Sequence, residues 1–234
     1  MNKTPKATGA PRRRGRPSAD CAPGADHLLR TARRIFALRG YEATSVREIA
    51  READVDAALI AHHFGSKEAL WLAVVEQIKV LLDPMLATAV ALRADASLGP
   101  RERVEQGLLA FIDRVFEHPD IGIFFSTAAT EEGERLNVLV TSIVRPFHEV
   151  YLPLFNDAMD AGELHRCDPA LLFSVLMQGI SKTVAYGHVL RAVSTLPDEP
   201  ERFKRELTDV ALHLLRAAAP EPPPPPVTSR RRSR

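Results

Sequence analysis

The side chains able to do chemistry in this chain are spaced for recognition and not for catalysis. His62 and His63 are adjacent, so on a helix they point about 100° apart and cannot share a face as metal ligands at i and i+4 would. Glu131 and Glu132 have the same defect. The only two cysteines, Cys21 and Cys167, are far apart and neither has a CxxC partner or metal-ligand spacing, which fits a reducing, cytoplasmic setting. No nucleophile elbow, phosphate-binding glycine loop or HExxH motif is present. The sequence thus predicts no catalytic residue, no metal site and no cofactor. It offers instead groups suited to phosphate and base edges: Arg47, His62, His63 and Lys67 within one short segment, and Arg14 and Arg16 ahead of it.

Helices must position that segment. Residues 44–69 read as two short helices joined by a tight turn, a helix-turn-helix, with a third helix following. The second helix of such a pair is small enough to enter the major groove of DNA. Thr44 or Ser45 caps the first helix, and Ser45 with Glu48 three residues on makes the capping-box pattern. Val46, Ile49, Ala50 and Ala53 share its apolar face. Asp56 caps the second helix, whose Leu59, Ile60 and Phe64 bury against the first, and Ser66 caps the third. Asp56, Ala57, Ala58 and Leu59 offer almost no side-chain donors, so bidentate contacts to guanine or adenine cannot come from them. Ala57, Ala58 and Leu59 can instead pack on thymine methyl groups. Arg47 is the nearest guanidinium able to reach a guanine, while His62 and His63 are placed for phosphate. Lys67, just after the Ser66 cap, presents its ammonium and the helix N-terminal amides to a phosphate. The expected DNA-binding set is therefore Arg14, Arg16, Thr44, Ser45, Arg47, Asp56, Ala57, Ala58, Leu59, His62, His63 and Lys67.

The order and spacing of these residues resemble the N-terminal DNA-binding domain of the tetracycline-repressor (TetR/AcrR) family. The resemblance spans roughly residues 28–75. It includes the apolar spacing of Leu28, Leu29, Ala32, Ile35 and Phe36, the Gly40-Tyr41 stop, and the closing His63-Phe64-Gly65-Ser66-Lys67-Glu68. Two residues depart from the family pattern. Asp54 stands where the family has Gly, at a turn position calling for a left-handed backbone, which Asp tolerates better than most residues. His62 stands where the family has Tyr, so that side chain's phosphate contact falls to an imidazole. The resemblance implies a homodimeric, non-enzymatic transcription regulator, a repressor released from a palindromic operator on double-stranded DNA by a small-molecule effector. It also implies that a C-terminal helical domain binds the effector and dimerises through its last two long helices, with the long helix over residues 66–93 acting as the lever.

Composition is consistent with that frame. The 234 residues are 45% hydrophobic, enough for a buried core and two domains, and no apolar run reaches membrane-spanning length, so no membrane partner is expected. The formal charge of +1 conceals segregation. Residues 1–19 carry six cations and no acid, the segment from Pro222 adds Arg230, Arg231, Arg232 and Arg234, and the chain between them is net acidic. Basic chain ends are attracted to nucleic acid through counterion release. Arg14-Gly15-Arg16-Pro17 is similar to the core of minor-groove arms that favour A/T-rich DNA. The Arg-rich C-terminus, behind five consecutive prolines, reads equally as a solubility tail.

The remaining segments read as helix throughout, giving an all-α fold. The expected domains are a disordered basic arm (1–23), a three-helix helix-turn-helix domain (24–65), an effector-binding and dimerisation bundle (66–219) and a disordered Pro- and Arg-rich tail (220–234). Helices are expected over 101–117, 134–159, 168–190 and 200–218, the last two carrying broad apolar stripes suited to dimerisation. Phe111, Phe116, Phe124, Phe125, Phe147, Tyr151, Phe173 and Met177 cluster in the central helices. They form either plain core or the lining of a pocket for an apolar effector. His118 and His148 are candidate polar anchors there. An alternative function is an effector-independent architectural DNA binder whose large domain only dimerises.

Overall fold

The computed structural model describes residues 23–130 and 132–215, and among these it is all-helical with no strand. The basic arm with Arg14 and Arg16, Cys21, Glu131 and the Pro- and Arg-rich tail lie outside the described residues. No described helix is long and apolar enough to cross a membrane.

Helix α1 (Pro23–Arg39) buries Leu28, Ala32, Ile35 and Phe36 on one face and ends at Gly40, whose φ of +76° forms a left-handed stop. Helices α2 (Val46–Glu52) and α3 (Ala57–Phe64) make the helix-turn-helix. All three expected caps are formed: Ser45 Oγ accepts from Glu48 N at 3.2 Å, Asp56 Oδ1 from Ala58 N at 2.8 Å, and Ser66 Oγ from Ala69 N at 3.0 Å. The capping box is only half made, because the Glu48 carboxylate pairs with Arg39 on α1 and does not return to Ser45. Asp54 occupies the α2–α3 turn at φ +53°, the only non-glycine residue with positive φ among those described.

Helix α4 (Lys67–Ala94) leads out of this unit into the body, with Pro84 accommodated inside it. The body consists of α5 (Pro100–Glu117), α6 (Pro119–Ala128), α7 (Glu134–Leu139), α8 (Arg145–Asp160), α9 (Pro169–Ala185), α10 (Gly187–Leu190) and α11 (Pro200–Leu214). Two expected continuous helices are broken. Residues 134–159 divide at a π turn, Val140–Val144, in which Arg145 N–H reaches Val140 O. The cause is Pro146, which has no N–H to give the carbonyl four residues earlier and clashes with it, so the chain widens by one residue ahead of it. Residues 168–190 divide after Ala185, where Gly187, the first residue of α10, is buried beside Pro197 and Phe203.

Buried side chains run continuously from the helix-turn-helix into the body. Phe36 stacks on Tyr41 at 6.0 Å, Tyr41 meets the edge of Trp71 on α4 at 6.4 Å, and Trp71 stacks on Phe124 of α6 at 6.1 Å. Helix α6 also packs along α1. The buried Arg33 on α1 donates through Nε to Asp120 Oδ2 at 2.6 Å, and Thr127 Oγ1 donates to Ala37 O at 2.6 Å. Its opposite side lies against α9 so closely that a Cβ on Gly122 would stand 2.6 Å from Ser181 Oγ and 3.1 Å from Ser181 O.

Candidate functional site

The outer side of the helix-turn-helix presents Ser45 and Arg47 from α2 and Ala58, Leu59, His62 and His63 from α3, all exposed, with Ala57 half-buried. Ile60 is 1% exposed and pins α3 to α2, so the exposed residues around it are held on a fixed surface. Arg47 has no hydrogen-bond or ion-pair partner among the described residues, which leaves its five donors available to a base edge or phosphate. His62 and His63 hold their rings 5.6 Å apart, both solvent-facing. The Asp56 carboxylate is committed to its cap.

Two of the expected residues are otherwise engaged. Thr44 is buried, with its hydroxyl donated to Gly40 O at 2.7 Å, so it braces the loop after α1 and turns away from the outer surface; Ser45 takes the exposed position. The Lys67 ammonium donates to Tyr41 O at 2.9 Å and Thr44 O at 3.0 Å and lies 4.2 Å from the centroid of the Tyr41 ring. One of its three donors is left for a phosphate, and its first role is to tie the start of α4 to the α1–α2 loop.

A cavity of about 330 Å³ opens in the body between α4, α5, α6, α8 and α9. Phe111, Phe125, Phe147, Phe173 and Met177, all expected as effector contacts, line it. Leu82, Met85, Val115, Ile121, Ile143 and Val144 complete the apolar wall, the last two from the π turn. The other three expected contacts are core. Phe124 is 1% exposed and turned onto Trp71, as its neighbour Phe125 points about 100° away into the cavity. Phe116 packs on Phe203 of α11 at 5.4 Å. Tyr151 is buried behind Phe147 and Phe173, with burial pushing its phenol well above the usual range.

The polar side of the cavity was not expected, apart from His118 and His148. Ser174, Gln178, Ser181 and Lys182 run along α9, joined by Ser126 from α6 and Arg114 from the last turn of α5. The spacing 174, 178, 181, 182 is a helical stripe of polar residues inside an otherwise apolar helix, and that is the signal by which the sequence could have revealed it. His118, between α5 and α6, has its imidazole held below the ordinary range first by burial and then by the cations Arg33 and Arg114. His148 sets its ring edge against Phe173 at 4.8 Å. No cluster of three potential metal ligands occurs among the described residues.

Residues 28–74, covering α1 to the start of α4, match the model for bacterial regulatory proteins of the tetR family. Over that segment the chain carries a tetR-family DNA-binding domain. It is 29% identical over 156 residues to the HTH-type transcriptional repressor NicS of Pseudomonas putida, covering 65% of this chain and 70% of that protein. It is 34% identical over 109 residues to the HTH-type transcriptional repressor KstR2 of Mycobacterium tuberculosis, covering 47% and 50%. With YuxN of Bacillus subtilis, an uncharacterized HTH-type transcriptional regulator, it shares 29% over 93 residues, 40% of this chain and 31% of that one. The chain thus spans from about a third to somewhat over two thirds of these curated relatives. A tetR-family regulatory protein from Rhodococcus RHA1 superposes with a TM-score of 0.63 at 20% identity, over 85% of this chain and all of that one. The hemolysin II regulator HlyIIR superposes at 0.57 and 23%, over 80% and 98%. At those identities the likeness is one of fold, an N-terminal helix-turn-helix on a C-terminal helical domain. The named curated relatives are HTH-type transcriptional regulators or repressors. For a tetR-type DNA-binding domain, His62 in place of the usual Tyr is the notable feature of the recognition surface, and here it is exposed and free of the protein's own hydrogen bonds among the described residues.

Proposed function

We propose that this protein is a homodimeric transcriptional repressor that binds a palindromic DNA operator and is released from it by a small molecule held in the cavity of the body. The observation that carries the reading is the position of α6. One side of it is fastened to α1 of the DNA-binding unit by Arg33–Asp120 and Thr127–Ala37, and the other supplies Ile121, Phe125 and Ser126 to the cavity wall. A ligand that favours a different setting of α6 therefore has a direct mechanical route to the recognition helices, alongside the expected lever α4. The names of NicS and KstR2 as transcriptional repressors support the same reading.

Dimerisation is assigned to α9 and α11. Leu171 and Val175, one turn apart on α9, are 63% and 56% exposed, and Val210 and Leu214, one turn apart on α11, are 58% and 61% exposed, which gives each helix an uncovered aliphatic pair. A twofold dimer would set two copies of α3 into successive major grooves about 34–36 Å apart, and a change in that spacing lowers DNA affinity. Base readout falls to Arg47 for a guanine and to Ala57, Ala58 and Leu59 for thymine methyls, with Ser45, His62 and His63 on phosphates. Selection of binding sites from random DNA, followed by sedimentation of the protein alone and on the selected site, tests this. The expected result is a palindrome occupied by two subunits. Sequence-blind binding would instead favour an architectural role.

A further inference from the structure

The cavity is chemically lopsided in a way that specifies its occupant. Its walls are mainly aliphatic and aromatic, yet the ionisable side chains on it are Arg114, Lys182, His118 and His148, and among the described residues none of the lining side chains is acidic. Arg114 is three-quarters covered and shares one donor, Nη1, with Glu117 at 2.7 Å. The remaining guanidinium donors are not taken by any described side chain. Lys182 has no ion-pair partner among the described residues, and it follows Ser181 and Gln178 on the polar stripe of α9.

We propose that the effector is an amphipathic carboxylate: a hydrocarbon body lying against Phe111, Phe125, Phe147 and Met177, with its anionic head met by Lys182 of α9 and Arg114 of α5. This rests on reading the cavity as the effector site. The apolar wall removes hydrocarbon from water, which gives affinity. Charge-assisted hydrogen bonds to a guanidinium and an ammonium give selectivity for an anion over a neutral or cationic molecule of the same shape. The volume, near the lower end of the ~300–1,000 Å³ found for small-molecule sites, suits a ligand of moderate chain length.

Three probes with one body and three heads separate the possibilities: octanoate, 1-octanol and octyltrimethylammonium, titrated calorimetrically into the full-length protein. Octanoate is expected to bind about tenfold or more tighter than octanol, the difference made by charge-assisted bonds, and octyltrimethylammonium weakest of the three. Lys182→Gln, at an exposed position that leaves the fold intact, and Arg114→Gln are each expected to weaken octanoate by about tenfold and leave octanol unchanged. Equal or tighter binding of octanol or the ammonium probe overturns the carboxylate class while leaving the cavity as an effector site. So does octanoate binding that both substitutions leave untouched. If none of the three probes binds, the effector-site reading itself falls, and this inference with it.

Discussion

Arg33 and Asp120 decide how firmly the DNA-binding helices are joined to the body. The Arg33 side chain is 3% exposed, and its Nε donates to Asp120 Oδ2 at 2.6 Å. Its other contact, from Nη1 to Gln77 Oε1 at 3.3 Å, is long. Removing the carboxylate leaves a buried cation facing one weak neutral acceptor. Removing the cation leaves a carboxylate that is 29% exposed and can recruit water. Breaking a fully buried pair from one side costs about 3–5 kcal/mol; with Asp120 partly solvated, the expected loss for Asp120→Ala is about 2–3 kcal/mol, and for Arg33→Met about 1–2 kcal/mol. A folded unit of this size loses about 2–4 °C in Tm per kcal/mol, so Asp120→Ala should melt about 4–12 °C lower. Asp120→Asn retains an acceptor oxygen and should lose less. Urea denaturation of the two single variants and the double variant gives a coupling energy, expected at about 1–2 kcal/mol. A coupling under about 0.5 kcal/mol, or Arg33→Met proving as damaging as Asp120→Ala, would refute the reasoning, because either result means the guanidinium is satisfied without Asp120.

Arg47→Ala is expected to relax one guanine per half-site at a cost of about 1–3 kcal/mol while leaving the thymines fixed, read by binding-site selection; a site with several fixed guanines that survives the change would contradict the assignment. Leu214→Glu, on the uncovered face of α11, should give monomers in sedimentation that no longer hold the operator, and a variant that stays dimeric removes Leu214 from the interface. The third concerns pH. Burial, Arg33 and Arg114 lower the His118 pKa, with Asp120 and Glu117 opposing more weakly, so above about 6.5 the ring is neutral in folded and unfolded chains alike. Below that value the unfolded chain takes the proton first and folded stability declines with falling pH. His118→Gln should flatten the decline measured by thermal melts between pH 7 and 5, and an unchanged or steeper decline would show that other groups govern it.

The parts of the fold legible in the sequence are those fixed within a few residues. Ser45, Asp56 and Ser66 announce their helices because a side-chain oxygen two or three residues from an open amide needs no tertiary partner. Asp54 announces its turn because few non-glycine residues tolerate the left-handed backbone found there. What the sequence leaves open depends on neighbours distant along the chain. Phe124 and Phe125 are equivalent as residue types, and only the placement of Trp71 decides which becomes core and which faces the cavity. Thr44 and Lys67 read as surface groups beside a DNA-binding helix, yet the loop after α1 supplies carbonyls that draw both inward. The break after Ala185 involves equally distant neighbours: Gly187, where α10 begins, is buried beside Pro197 and Phe203. Pro146, by contrast, was visible, and its π turn follows from a missing N–H that sequence reading can locate but whose remedy it cannot choose.

Helix α6 holds three relationships at once. Toward α1 it has one buried ion pair and one hydroxyl bond. Toward α9 it is fixed by the close approach at Gly122, where the Ser181 carbonyl leaves no room for a side chain. Toward the cavity it offers Phe125. Because α9 resists movement in one direction, an occupant that displaces Phe125 must act on the α1 contact. On the proposed reading, helix α9 also links the cavity to the dimer face, since Lys182 at the cavity rim lies three turns after Leu171 on the same helix. A tenfold change in operator affinity requires a difference of only about 1.4 kcal/mol between the bound states, within the range expected for the Arg33–Asp120 pair alone. On the proposed function, a ligand would therefore need no large rearrangement to release DNA. On the proposed mechanism, lengthening one 2.6 Å contact until water enters it would be sufficient, and Asp120→Ala should accordingly bind operator about tenfold more weakly than the unaltered protein, with little further response to any effector.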